Sequence, residues 1–272
     1  MRTTNMIVDG KKIAEDIYQE LIQDIADFGR APVLTIITCA PHFATQKYLN
    51  LKQARAKEVG IKTEIRELSA DVSTQDIIDA ITHAIPQSDG IVVQLPLPSH
   101  IAQDRVIEAI PTTHDVDALN PHTLRPLSPV VGAIEAIVER HGVQVKDTFV
   151  AVVGSGKLVG IPAYQWFVSQ GAHVSVVTRD VSNIEDYTKN ADIVVCGAGV
   201  PSLIKPAMVR EGVIIFDAGT SEDGGVLRGD ADPSCALKSS LFTPVPGGIG
   251  PLTIAILLKN VVHCARQKRD VV

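Results

Sequence analysis

Hydrophobic residues along this 272-residue chain alternate between the helical and the strand period almost from the start. Apolar side chains recur every four positions from Ile13 to Ile25, which predicts a first helix that Gly29 can end. The apolar run at 33–37 predicts a short buried strand, and residues 44–59 predict a second helix. Strands and helices that follow each other in turn are typical of βαβ units and a parallel sheet.

The same alternation continues to about residue 95. Residues 61–65 resume the strand pattern, and Ser73 and Asp76 have the spacing of a capping box at the start of a third helix. The run 90–95 is apolar except for Gln94, as expected of a strand that is covered on both faces. The first part of the chain therefore predicts a parallel α/β sheet.

A proline-rich, irregular stretch between Pro111 and Val131 indicates a domain junction. An apolar helix from Leu252 comes after the strand pattern is spent, and it can return to pack on the first domain. Between them lies a second α/β pattern, with a helix at 133–140 and strands at 149–153, 174–177, 193–196 and 213–216.

These patterns predict an α/β fold with two α/β domains around a cleft. The second is a Rossmann-type, parallel-sheet nucleotide-binding domain. The first domain is predicted to comprise residues 1–120 and 250–272, and the second residues 121–249.

Composition narrows the class of protein. Lysine and arginine total 25 against 31 acidic residues, so the net charge is −6, which argues against a nucleic-acid partner. The four cysteines are scattered without metal-ligand spacing, so we expect reduced, structural thiols and no metal site. No signal-peptide pattern and no apolar run near the roughly 18 residues that span a bilayer is apparent, so we expect a cytoplasmic protein without a membrane partner.

A glycine-rich turn links the strand at 149–153 to the helix that follows it. Gly154, Gly156 and Gly160 occupy its first, third and seventh positions, one residue longer than the usual GxGxxG spacing. Glycine there lets backbone N–H groups meet a phosphate, which favours dinucleotide binding. Tight packing of helix on strand would require the same glycines.

The end of the strand at 174–177 is the usual place where the ribose is recognised. Arg179 favours the 2′-phosphate of NADP, whereas Asp180 favours the 2′-hydroxyl of NAD. Arg179 comes first, which favours NADP with NAD possible. A plain surface turn would look the same.

Tyr48 and Lys52 lie four residues apart on a predicted helix, so both side chains share one face. A desolvated lysine can transfer protons near neutral pH, although this spacing alone is more often a tyrosine beside a solvated lysine. Gln94 changes the balance, because a buried amide needs hydrogen-bond partners and lies at the end of a parallel strand, where α/β sheets bind ligands.

Two further motifs stay open. Asp115 and Asp117 could cap the chain at the junction, or accept hydrogen bonds from a ligand amine. The run 243–253 holds three prolines and three glycines and is either a rigid connector or a loop on which a ligand docks.

Together these motifs resemble the bifunctional methylenetetrahydrofolate dehydrogenase/methenyltetrahydrofolate cyclohydrolase family. The resemblance covers essentially the whole chain, and the QLPLP and TPVPGGxGP runs are its most specific parts. The segments that carry it are ATQKYLNLK (44–52), DGIVVQLPLP (89–98), DVD (115–117), VGIP (159–162) and TPVPGGIGP (243–251).

The resemblance implies a catalytic set of four residues. Lys52 would be the acid–base residue of the cyclohydrolase step, with Tyr48 beside it over the folate. Gln94 would hydrogen-bond the lysine amine and help to hold it neutral, and Asp117 would bind the pterin ring.

It also implies the remaining binding residues. Tyr48, Gln94 and Asp117 would contact the tetrahydrofolate substrate together with Leu95, Pro96, Pro246, Gly247 and Gly248. The nicotinamide cofactor would be held by Gly154, Ser155, Gly156, Arg179 and Thr220.

The implied activity is NAD(P)-dependent oxidation of 5,10-methylenetetrahydrofolate to the methenyl form, followed by hydrolysis to 10-formyltetrahydrofolate. A homodimer formed through the second-domain sheet and a place in one-carbon metabolism and purine biosynthesis are also implied. Ser155 stands where the family turn usually carries an arginine, and the junction at 120–132 is shorter than usual. Two alternatives are therefore a protein that retains one activity and a non-catalytic folate- or nucleotide-binding paralogue.

Overall fold

The computed structural model describes residues 5–41, 43–223 and 226–269. The chain forms two compact units: unit 1 comprises Met1–Ala14 and Val130–Thr253, and unit 2 comprises Glu15–Pro129 and Ile254–Val272. The strands are β1 (Met6–Ile7), β2 (Val33–Cys39), β3 (Lys62–Leu68), β4 (Gly90–Val93), β5 (Phe149–Val153), β6 (His173–Val177), β7 (Ile193–Cys196), β8 (Val213–Asp217), β9 (Ser221–Asp223), β10 (Val226–Arg228) and β11 (Ser239–Phe242). The helices are α1 (Gly10–Ala26), α2 (Phe43–Val59), α3 (Thr74–Ala84), α4 (Gln103–Glu108), α5 (Pro129–His141), α6 (Gly160–Ser169), α7 (Glu185–Thr188) and α8 (Ile249–Arg269).

Unit 2 contains a three-stranded sheet in the order β3-β2-β4, parallel throughout. Ile36 at the centre of β2 pairs with Ile65 of β3 and with Val92 of β4. All of β2 beyond its first residue is buried, as its apolar sequence requires. The parallel α/β sheet expected from the alternation is confirmed.

Helix α3 shows how local sequence fixes an element. Ser73 is its N-cap: its Oγ accepts from the backbone N–H of Asp76 at 3.2 Å, and Asp76 Oδ2 accepts from the Ser73 N–H at 2.8 Å. The two hydrogen bonds form the predicted capping box.

Unit 1 contains a six-stranded sheet in the order β1-β11-β8-β7-β5-β6, with every pairing parallel. From β5 the chain passes first to β6 on one side and later to β7 on the other. The strand order therefore reverses between β5 and β7, and a crevice at such a point is where doubly wound sheets bind their ligands. The Rossmann-type prediction for this domain is confirmed.

The two compact units differ from the predicted domains at three places. Strand β1 pairs with β11, so the chain from Met6 to Ala14 lies in unit 1, whereas the prediction placed it in the first domain. A two-residue strand is too short to show a period in the sequence. The other boundaries fall after Pro129 and Thr253, later than the predicted 120 and 249.

The C-terminal helix α8 is longer than the apolar core of its sequence indicated. From residue 254 onward it belongs to unit 2, where Asn260 Nδ2 donates to the carbonyls of Val116 and Leu127, both at 2.8 Å. The predicted return to the first domain is confirmed.

Helix α8 is also the one described helix long and apolar enough to cross a membrane, contrary to the expectation that no segment would be. Of its apolar 18-residue window, 67% is buried inside the protein, as in a core helix. The four cysteines are free and buried, as expected of structural thiols.

Candidate active site

Unit 2 brings together the four residues that were predicted to be catalytic. Lys52 projects from α2 and is only 5% exposed. Its Nζ donates to Oε1 of Gln94 at 3.1 Å, and Gln94 Nε2 donates to the carbonyl of Leu95 at 2.9 Å. Gln94 follows the last residue of β4, so the contact lies at the carboxyl end of the sheet.

The opposite charges of Lys52 and Asp117 partly offset the pKa shifts that burial causes in both residues. Burial lowers the pKa of the Lys52 ammonium, and the Asp117 carboxylate partly offsets that shift. Burial likewise raises the pKa of Asp117, and Lys52 partly offsets it. A lysine whose pKa is lowered in this way can accept and return a proton much nearer neutrality than a solvated lysine.

Tyr48 lies one turn before Lys52 on α2. The centre of its ring is 4.9 Å from Lys52 Nζ, a cation–π contact, while the side chain as a whole is 37% exposed. Tyr48 is therefore the member of the cluster that a ligand can stack on from solvent. Leu95 is half-buried and Pro96 is exposed next to it, and their role at a substrate stays a prediction.

The turn that carries Asp117 is anchored by Asp115. Asp115 is fully buried and forms a bridge with Ile91 of β4, and its Oδ2 accepts from the N–H of Asn120 and the hydroxyl of Thr123, both at 2.8 Å. Burial raises the pKa of Asp115 to about 6. The sequence allowed Asp115 either to cap the chain or to contact a ligand. In the structure its carboxylate caps this turn.

In unit 1 the glycine-rich turn joins β5 to α6. A Cβ on Gly154 would lie 2.5 Å from the carbonyl oxygen of Gly197, and one on Gly160 would lie 2.1 Å from that of Gly154, so packing requires both glycines. Gly156 has no atom within 4 Å of its Cβ position, and Ser155 is exposed beside it. The packing explanation therefore accounts for two glycines, while Gly156 leaves the backbone open to a ligand.

The other predicted cofactor residues lie past the carboxyl ends of strands of the same sheet. Arg179 follows β6 and Thr220 follows β8, and both are exposed. This is the edge at which a nucleotide is expected. Their contacts with a cofactor stay predictions.

The proline–glycine run belongs to unit 1 and is held by the start of α1. The N–H of Gly10 donates to the carbonyl of Gly247 at 2.9 Å, and a Cβ on Gly10 would lie 1.8 Å from the carbonyl oxygen of Gly248. Gly10 was not singled out from the sequence, because one glycine at a helix start carries no distinguishing signal. The role of Pro246, Gly247 and Gly248 at a folate stays a prediction.

Comparison with known proteins decides the family. Residues 8–117 match the family model for the tetrahydrofolate dehydrogenase/cyclohydrolase catalytic domain, and residues 128–269 match that for its NAD(P)-binding domain. The chain belongs to the tetrahydrofolate dehydrogenase/cyclohydrolase family.

Family members resemble the chain over nearly its full length. The bifunctional protein FolD of Halothermothrix orenii is 36% identical and covers 96% of this chain and 98% of its own. The crystal structure of the bifunctional FolD of Campylobacter jejuni superimposes with a TM-score of 0.94 at 30% identity and covers 97% of this chain and 99% of its own. The Trypanosoma brucei dehydrogenase–cyclohydrolase, solved with NADP and an inhibitor, gives a TM-score of 0.90 at 28% identity over 97% of this chain and 98% of its own.

These matches confirm the family, the fold and the enzyme class predicted from the sequence. The protein is a methylenetetrahydrofolate dehydrogenase/cyclohydrolase. Nothing in the matches favours a single activity or a non-catalytic paralogue.

Proposed function

We propose that this family member oxidises 5,10-methylenetetrahydrofolate with NADP and hydrolyses the resulting methenyl cation, with Lys52 as the acid–base group of the hydrolysis. The observation that carries the proposal is the partly buried contact of Lys52 Nζ with Gln94 Oε1, beside the exposed ring of Tyr48. Among the described residues, this cluster combines a lysine of lowered pKa with a ring on which a folate can stack.

The hydrolysis needs one group that takes a proton and then gives it back. Water adds to the bridging carbon of the methenyl cation, and neutral Lys52 accepts the first proton of that water. The bond from the carbon to N5 then breaks, N5 takes the proton from the Lys52 ammonium, and the second proton of the water is released as the formyl group forms. Gln94 Oε1 accepts a hydrogen from Nζ and thereby orients the amine towards the substrate.

The Asp117 carboxylate would accept hydrogen bonds from the amine and amide N–H groups of the pterin. Burial raises the pKa of Asp117, and the nearby Lys52 partly offsets that shift and so favours the ionised carboxylate that such donors prefer. The dehydrogenase step transfers a hydride from the methylene carbon to the nicotinamide, which depends on orientation rather than on a strong base.

The use of NADP is supported by Arg179 after β6 and by the NADP bound to the Trypanosoma brucei relative. Ser155 leaves the turn without the arginine that usually follows the first glycine, so NAD stays a possible substrate. Separate titrations with NADP and NAD, each followed by the coupled assay on methylenetetrahydrofolate, measure the preference.

A cytoplasmic location, a homodimer and a role in purine biosynthesis are part of the same proposal, as is the lack of nucleic-acid and membrane partners. The acidic net charge of −6 supports the absence of a nucleic-acid partner. The molar mass of the purified protein, measured by light scattering, tests the dimer. Fractionation of cells tests the location.

The variant Lys52→Ala tests the central role. We expect methenyl hydrolysis to fall by about 10²- to 10⁴-fold, the usual contribution of a positioned acid–base group. Lys57→Ala is the matched control, because Lys57 lies on the same helix and is exposed. Wild-type hydrolysis by purified Lys52→Ala would show that another group performs the chemistry.

A further inference from the structure

Asp230 lies at the centre of a backbone nest in unit 1. It is fully buried, and its carboxylate accepts three consecutive N–H groups: Oδ2 from Ala198 at 2.6 Å and from Gly199 at 3.0 Å, and Oδ1 from Val200 at 2.9 Å. Gly199 has a φ of +69°, the left-handed conformation that lets successive N–H groups converge. Such a nest binds anions, and here a side chain of the protein fills it.

The nest borders the glycine-rich turn. Its loop leaves β7, which lies beside β5 at the point where the strand order reverses. Gly197, the first residue of the loop, donates to Val153 at 2.9 Å, and its carbonyl oxygen would lie 2.5 Å from a Cβ on Gly154. A shift of this loop therefore displaces the backbone that packs against Gly154 in the glycine-rich turn.

Asp217 holds the backbone that carries Asp230. It is 1% exposed and accepts the N–H groups of Gly219 at 3.0 Å, Asp230 at 3.1 Å and Ala231 at 2.8 Å. A Cβ on Gly219 would lie 2.2 Å from Cγ of Asp230, and one on Gly229 would lie 2.1 Å from Oδ2 of Asp217. The two carboxylates thus bind together the loops after β7 and β8 and the base of the β9–β10 hairpin.

We infer that Asp230 is a positioning residue for the nicotinamide cofactor, with Asp217 as its support. By saturating the 198–200 N–H groups, the carboxylate fixes this loop against the Gly154 turn. It also removes an anion-binding nest that would compete with the turn for the cofactor phosphates. The inference rests on the dehydrogenase function proposed above, but not on a choice between NADP and NAD.

The variant Asp230→Asn tests this role. The amide keeps the size of the side chain but turns an NH₂ group towards N–H donors. Some of the 198–200 N–H groups therefore lose their acceptor. We expect the KM for the cofactor to rise by about 10- to 100-fold, because a misplacement of about 1 Å can cost up to about 10²-fold. The rate at saturating cofactor and the hydrolysis of supplied methenyltetrahydrofolate should stay at the wild-type level.

Asp232→Asn is the matched control, because it removes the same charge two residues away from a partly exposed side chain. Trp166, the only tryptophan, is buried in α6 of the same unit, so its emission reports whether unit 1 is folded. Gly219→Ala provides a second variant that displaces Asp230 without removing its charge, and the same rise in KM is expected.

The possible outcomes separate the explanations. An unchanged KM for the cofactor in Asp230→Asn overturns the inference, and so does loss of the native Trp166 emission in both variants, which would make the role one of folding alone. A wild-type protein without dehydrogenase activity on either NADP or NAD would instead refute the proposed function.

Discussion

Burial of Lys52 is unfavourable because its ammonium loses solvation, and the same loss makes Lys52 suitable for proton transfer. Its ammonium loses solvation on α2, which lowers its pKa, and the amide oxygen of Gln94, the ring of Tyr48 and the charge of Asp117 compensate only in part. The sequence indicated this cluster because Gln94 interrupts an apolar strand. It left the role of Asp115 open and did not indicate Asp230, because their partners lie 5 to 32 residues away along the chain.

The charge at position 94 should set the pH at which Lys52 works. In Gln94→Glu a carboxylate replaces the amide and favours the ammonium, so the pKa of Lys52 rises. Because the hydrolysis needs the neutral amine, the pH–rate profile for methenyl hydrolysis should move to higher pH by roughly one unit or more. An equal loss of rate at every pH, with no move of the profile, would mean that Gln94 acts by shape alone.

Elements with an apolar face were predictable, whereas those without one were not. Residues 149–153 and 193–196 were placed to the residue, because each strand is apolar throughout. The β9–β10 hairpin was missed, since the described side chains of its second strand are exposed and show no alternation. Strand β4 ends two residues before its predicted end, because Pro96 has no N–H to continue the ladder.

The capping box of α3 gives a prediction at this scale. Ser73→Ala removes the acceptor for the Asp76 N–H and should lower the free energy of unfolding by about 1 kcal/mol. Urea denaturation followed by circular dichroism measures the change. The exposed Ser99 provides the control variant Ser99→Ala, and equal effects of the two variants would contradict a specific role of the cap.

On the scale of the whole molecule, each unit has, among its described residues, one deeply buried aspartate whose native pKa is about 6, Asp115 in unit 2 and Asp217 in unit 1. Burial is the largest cause in both, so each native site favours the protonated form. The stability that each contributes is fully present below its unfolded pKa of 3.8 and is lost as the pH rises through about 6. The histidines whose pKa is lowered by burial act in the opposite sense.

A comparison with asparagine variants isolates the two aspartates, because the histidines are shared with the wild type. As the pH rises from 4.5 to 7.5, the Tm of Asp115→Asn and that of Asp217→Asn should each rise relative to the Tm of the wild type. The expected change is several degrees, since the shift from 3.8 to about 6 corresponds to at most about 3 kcal/mol. Calorimetry at both pH values measures it, and a difference in Tm that is constant with pH would refute the assignment.

The pairing of β1 with β11 has a consequence for how the protein is made. Met6 leaves the ribosome early, yet its partner Leu241 is synthesised 235 residues later. Unit 2 likewise waits for α8, the last helix of the chain. Although many domains fold one by one as they emerge, neither unit here can close before nearly the entire polypeptide has been translated, and a chain that terminates early leaves both of them incomplete.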